Sequence, residues 1–125
     1  MQTLGTICAV TLAGAAQAGG DIAVPSGQAV QFVERIDNGD IVHFRFLAPR
    51  IAREGGTIDA EAADADMQAL CDGFALPALK GAPMPARIVI ALSDRKTEFG
   101  VPTPEATQLF APFRVEAGAC IWEPF

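Results

Sequence analysis

Strict alternation is clearest over residues 41–47. Val42, Phe44 and Phe46 fall on one side, and Ile41, His43, Arg45 and Leu47 on the other. A period of two marks a half-buried strand, so this run reads as β with its Val/Phe side towards a core. Residues 28–36 read as a strand before it. The intervening Asp37-Asn38-Gly39-Asp40 carries Asn-Gly, the strongest short hairpin signal. The period changes over 59–74, where Ala63, Met67, Leu70, Cys71 and Phe74 recur at helical spacing as one apolar stripe. Asp59 supplies an N-cap, and Glu61 and Asp64 suit the helix dipole. Asp59, Glu61, Asp64, Asp66 and Asp72 form the solvated remainder, and Pro77 requires the helix to stop before it.

Residues 76–85, with three prolines and a glycine, read as a loop. Residues 86–92 are apolar on both alternations except Arg87, the pattern of a central strand. A turn at 93–96 leads into a short strand at 97–101, a break at 102–104 and a short helix over 105–110, opened by Thr103 and Pro104. Residues 113–122 form the last strand, bulged at Gly118. The order β-β-α-β-β-(α)-β favours an α+β domain, a mainly antiparallel sheet of four to five strands with one long helix packed on it.

The first eighteen residues follow another pattern. Thr3 to Ala18 is uncharged, and its apolar core runs into Ala16-Gln17-Ala18, a small-x-small site of the kind that ends a secretory signal peptide. Met1-Gln2-Thr3 lacks the basic residue such leaders carry, so either translation starts elsewhere or the amino terminus is the only positive charge there. The apolar run is shorter than the roughly 20 residues a bilayer span needs. The expected organisation is a leader at 1–18, a flexible lead-in at 19–27 and one domain over 28–125. The expected location of the mature protein is periplasmic or secreted, with no stable membrane insertion after cleavage.

Export changes the reading of the cysteines. Cys8 leaves with the leader, and Cys71 and Cys120 remain as an even pair in an oxidising compartment, where a disulfide is the default. The bridge would close a loop of roughly 50 residues, for which chain entropy assigns about 4 kcal/mol. Nine basic against fifteen acidic side chains give a net charge of −6, which argues against nucleic acid and against docking on anionic lipid.

The catalytic inventory is poor. His43 is the only imidazole, and it points away from the expected core; it is a general base only if a partner reaches it. A serine triad would need Ser26 or Ser93, and no G-x-S-x-G elbow is present. A Cys71–His43 dyad is excluded if Cys71 is oxidised. Asp37-Asn38-Gly39-Asp40 is too short to wrap a calcium ion, and with one His and no C-x-x-C neither a metal nor a cofactor is expected. Arg45, Arg50 and Arg53 cluster at a strand end and the next loop, near a helix start, where arginines clamp carboxylates or phosphates; the alternative is pairing with Glu54, Asp59 or Glu61. Trp122 and Phe125 either complete the core or anchor a partner.

The stretches Phe44-Arg45-Phe46-Leu47-Ala48-Pro49-Arg50-Ile51-Ala52-Arg53-Glu54-Gly55-Gly56, Ile88-Val89-Ile90-Ala91-Leu92-Ser93-Asp94-Arg95, Glu98-Phe99-Gly100-Val101 and Gly118-Ala119-Cys120-Ile121-Trp122-Glu123 resemble a family of small exported bacterial proteins with no established function. Some members carry the label acetolactate synthase. That activity is not expected here, because the catalytic subunit is several times longer and holds thiamine diphosphate through a Gly-Asp-Gly…Asn-Asn metal motif. Gly39-Asp40 and Asp72-Gly73 stand without the asparagines. A regulatory subunit of ferredoxin-like kind fits the length better, yet needs neither export nor a disulfide. The resemblance implies no catalytic residues. The functional expectation is a binding module of the cell envelope, contacting an envelope protein or a small anionic ligand through His43, Arg45, Arg50, Arg53 and Trp122. The alternatives are a small hydrolase using His43, or an enzyme inhibitor presenting loops 77–85 or 102–104.

Overall fold

A computed structural model describes residues 20–125; the leader expected at 1–18 lies outside them. Five strands form one sheet in the spatial order β1-β2-β3-β4-β5: β1 (Gln31–Asn38), β2 (Ile41–Leu47), β3 (Arg87–Ser93), β4 (Gln108–Glu116) and β5 (Ala119–Trp122). Every neighbouring pair is antiparallel except β2 and β3. That parallel step needs a crossover, and helix α1 (Ala60–Leu70) supplies it. The class is α+β.

One face of the sheet carries the core. Val42, Phe44 and Phe46 of β2, Ile88, Ile90 and Leu92 of β3, Ala111 and Phe113 of β4 and Cys120 of β5 pack against Ala63, Met67, Leu70 and Cys71. The helical stripe and the β2 alternation therefore meet as the periodicities require. Phe74 lies at the edge of this layer with Phe32, Phe44 and Phe46, its ring centroid 4.9 Å from that of Phe32.

The helix runs on past its expected end. α1 continues without a break into a π-helical segment, Cys71–Ala75, and a last α-turn, α2 (Leu76–Ala78), that contains Pro77. A proline inside an α-helix removes a donor and crowds the carbonyl four residues back. Here the Leu76 N–H donates to Cys71 O, five residues back, and this wider turn admits the ring. Residues 76–78, expected in a loop, are therefore helical.

Three further expectations are corrected. Residues 97–101 are not a strand but part of a long loop, and 105–107 are not helical, since β4 begins at Gln108. Thr107 sits at the strand entrance with its backbone exchanging hydrogen bonds with Asp94, which leaves no room for a helical turn. The last strand is not single: it is a hairpin of β4 and β5, turning at Ala117 (φ 53°) and Gly118 (φ 78°). Two consecutive positive φ values are the mark of a type I′ turn. Pro112 is tolerated inside β4 because its backbone faces the end of the short β5, where its carbonyl accepts from Glu123 N at 3.0 Å.

Asp66, expected on the solvated helix face, is fully buried. Its carboxylate accepts from Ser26 N (2.9 Å), Ser26 Oγ (2.6 Å) and Gln28 Nε2 (2.8 Å). These bonds fasten residues 26–28 to α1, and Ile22 and Val24 pack beside the core. Cys71 and Cys120 are bonded, their Cα atoms 6.1 Å apart. Around the bridge, Cys120 N donates to Asp72 Oδ1 (2.9 Å) and Gln68 Nε2 donates to Cys120 O (2.9 Å). Helix side chains thus satisfy the outward-facing backbone of the edge strand, one of the ways a sheet edge is protected.

Candidate functional site

The second face of the sheet is covered only in part, by the loop from Asp94 to Thr107. Its ends are tied together: Asp94 N donates to Thr107 O (3.0 Å), and Thr107 N donates back to Asp94 Oδ1 (2.9 Å). A compact surface loop closed at its neck is an Ω-loop, and such loops are frequently functional.

Two of the arginines singled out by sequence hold this loop. Arg45 leaves the outward side of β2 and is only 9 % exposed. It pairs with Glu34 of β1, donates through Nη2 to Thr97 O (3.0 Å) and Thr97 Oγ1 (2.8 Å), and lies 5.6 Å from the Phe99 ring centroid. Arg53 braces the other limb: Nη2 donates to Pro104 O (2.9 Å) and Ala106 O (3.3 Å), and its backbone N–H donates to Thr107 Oγ1 (3.0 Å). Arg50 is elsewhere, donating from Nε to Thr57 Oγ1 (2.8 Å). The three guanidiniums do not converge on a ligand, and they bind the chain's own loops rather than the acids Glu54, Asp59 and Glu61.

Under the loop lies an open groove of about 240 Å3, lined by His43, Arg45, Glu98, Phe99, Val101 and Phe110 among others. Phe99, Val101 and Phe110 present large apolar surface to solvent, Phe110 being 54 % exposed. The His43 ring packs edge-on to Phe99, centroids 5.0 Å apart. Burial first, and the Arg45 charge second, hold the imidazole below its ordinary pKa, so it is neutral at pH 7.

A neutral His43 has the protonation state of a base but lacks partners. Among the described residues it makes no side-chain hydrogen bond. Ser26 Oγ donates to Asp66, and Ser93 Oγ donates to Arg95 O (2.6 Å). Cys71 is bridged. Among the described residues, no nucleophile–base pair is assembled around His43.

A second cavity, of about 410 Å3, lies on the other side of the loop neck, among Arg53, Glu54, Asp94, Arg95 and Glu105. Asp94 is nearly buried, its side chain 3 % exposed. Burial alone would raise its pKa. Hydrogen bonds from Arg95 and the Thr107 N–H, with the charges of Arg95 and Arg53, outweigh burial and lower it. This ionised carboxylate locks the neck. Three acids against two arginines make the cavity a poor anion site.

Trp122, the remaining candidate, sits opposite Phe113 in the β4–β5 register and so projects on the helix side, away from His43. The sequence-derived site is therefore dispersed over both faces. Phe99, Val101 and Phe110 were missed as groove residues. Their only sequence signal is an apolar residue in a Gly/Pro-rich stretch and an aromatic out of phase with the core-facing Ala111 and Phe113. No group of three or more His, Cys, Asp or Glu among the described residues is placed to hold a metal, and no described helix is long and apolar enough to cross a membrane.

The fold and the groove define a small, disulfide-pinned α+β domain with a braced surface loop. The chain belongs to a family of unknown function, DUF6497, whose model matches residues 7–125. No curated protein and no solved structure matches it.

Proposed function

We propose that this chain is an exported binding module of the cell envelope, periplasmic or secreted, whose contact surface is the groove between the Asp94–Thr107 loop and the second face of the sheet. The observation that carries the reading is the apolar patch of Phe99, Val101 and Phe110 around that groove. Monomeric proteins seldom leave such a patch uncovered without a reason. The loop that supplies half of it is fixed by Arg45, Arg53 and Asp94, and a preorganised loop loses little entropy on binding. The occupant is an extended segment of an envelope protein that lays an apolar side chain between Phe99 and Phe110. Neutral His43 offers that segment one donor and one acceptor. The bonded Cys71–Cys120 pair supports export, because such bridges persist in oxidising compartments. The two Ser hydroxyls held elsewhere and the unpartnered His43 favour binding over the hydrolase alternative.

The inhibitor reading draws on the same loop, since Pro102 and Pro104 stiffen an exposed segment pinned at its neck. It differs only in making the partner an enzyme.

The test places a photo-crosslinking residue at Val101, at Phe110 or at Lys80, which lies outside the groove, in the full-length chain exported by its own host. We expect one discrete adduct shared by positions 101 and 110, missing at 80, and lost when Phe99→Asp is added. No adduct at 101 and 110, or the same adducts at 80, overturns the reading. Digestion of the adduct and mass measurement then show whether the partner is an enzyme.

A further inference from the structure

On the helix side of the sheet, away from the groove, an open cavity of about 280 Å3 is lined by Asp64, Gln68, Ala111, Phe113 and Trp122. Its floor is apolar: Ala111 and Phe113 are buried residues of β4. One wall is Trp122, 59 % exposed at the end of β5. The facing wall is α1, which places Asp64 and Gln68 one turn apart. Gln68 Nε2 is held by Cys120 O and Asp72 Oδ2, both at 2.9 Å. Asp64 makes no ion pair among the described residues. Arg114 pairs with Glu116 and Glu123, and Arg87 with Glu123, and no Lys, Arg or His is among the residues lining the cavity.

An exposed indole facing an unpaired carboxylate across an apolar floor is complementary to one chemistry. Tryptophan has the ring face most attractive to a cation. Asp64 supplies the countercharge, and Ala111 and Phe113 accept the methylene stem that a long basic side chain buries. A volume below the roughly 300–1,000 Å3 of small-molecule sites suits a single side chain. The net charge of −6 attracts a basic partner towards it. We propose that this cavity receives an arginine side chain of a partner protein, the guanidinium stacked on Trp122 and forked to Asp64. Arginine is favoured over lysine because its planar group stacks on an aromatic face and binds a carboxylate through two donors. This site is independent of the groove.

Trp122 is the only tryptophan, so its indole N–H resonance and its fluorescence report the cavity alone. The oxidised full chain is titrated with three probes: a blocked Gly-Arg-Gly peptide, the same peptide with norleucine for arginine, and tetramethylammonium. We expect the arginine peptide alone to shift the indole signal saturably, and Asp64→Asn to weaken it about two- to fivefold, the scale of an exposed cation–π or ion-pair contribution. Trp122→Leu, followed through the amides of Ala111 and Phe113, should abolish it. No saturable shift, or an equal response to the norleucine peptide, overturns the proposal. Tighter binding of tetramethylammonium also overturns it, in favour of a small organic cation. Asp64 is on the surface of α1, so Asp64→Asn keeps the test open if Trp122→Leu disturbs the hairpin.

Discussion

At single positions, the groups with the greatest leverage are those whose neighbours leave no alternative. Asp66 is one: three donors depend on its carboxylate, the Gln28 amide from a buried position and the two Ser26 groups from partly buried ones. Asp66→Ala strands the Gln28 amide, and an unmade buried hydrogen bond costs about 1–3 kcal/mol. The variant should lose about that much in urea unfolding, and an unchanged midpoint would mean that residues 26–28 are not held this way. Gly56 is another. A Cβ there would stand 2.1 Å from Ala52 O and 2.7 Å from Arg50 O. These are backbone atoms that cannot rotate aside, so Gly56→Ala should destabilise by about 1–3 kcal/mol, the usual cost of overpacking. Ala117 runs the opposite way. A non-glycine residue at left-handed φ costs about 1–2 kcal/mol, part of which glycine returns as backbone entropy. Ala117→Gly should raise the denaturation midpoint. His43 sets the pH dependence. Its folded pKa is depressed, so below about 6.5 the unfolded chain binds more protons and folding stability falls. The depressed Asp94 acts in another window: its contribution is full above the ordinary carboxylate range and fades as pH falls through its lowered pKa. Comparing urea midpoints at pH 8 and pH 5 therefore isolates His43, and His43→Gln should flatten the difference.

Elements are decided by contacts that sequence shows only in part. The β2 alternation and the α1 stripe were legible because each repeats one periodicity over several residues against one core. The central strand at 86–92 was legible from its uniform apolarity, and the pairing of Cys71 with Cys120 from redox context. The π-segment was not, because Pro77 reads locally as a stop and only the shift to Cys71 O admits it. The last hairpin was hidden because Ala117-Gly118 is not the Asn-Gly that advertises a type I′ turn. The arginines were visible as residues, but their ligands, Thr97 and the carbonyls of Pro104 and Ala106, lie about fifty residues away, where local spacing is silent. Arg45 carries the element-scale prediction. Glu34 keeps substantial exposure, so losing its partner leaves a carboxylate that water can still solvate, unlike a fully buried pair. Arg45→Met should therefore cost only about 1–2 kcal/mol. Its larger effect should be local: faster hydrogen exchange at residues 96–101, with β3 and α1 unchanged. Uniform acceleration across the sheet would show that Arg45 supports the core rather than the loop.

For the whole molecule, the disulfide and the apolar groove bear on the same question from opposite sides. The bridge joins the π-segment to an edge strand of only four residues, and Asp72 and Gln68 secure the same junction from the helix. Both sulfur-bearing residues are buried, so the bond belongs to the folded core rather than to a surface thiol exchange. A bridge of this span contributes about 2–5 kcal/mol when removed from a small domain. The double variant Cys71→Ala/Cys120→Ala should lose that much and open β5 first. Dependence on such a bond would favour an oxidising compartment, in keeping with the export proposed above. The decisive measurement is the intact mass of the chain purified from its host's envelope fraction, labelled at thiols before and after reduction. A mass beginning at Gly19, with two labels taken up only after reduction, establishes cleavage and the bridge together. It would also place the Phe99/Val101/Phe110 patch in the compartment where its partner must be sought. A full-length mass with free thiols overturns export, and it would return the search for that partner to the cytoplasm.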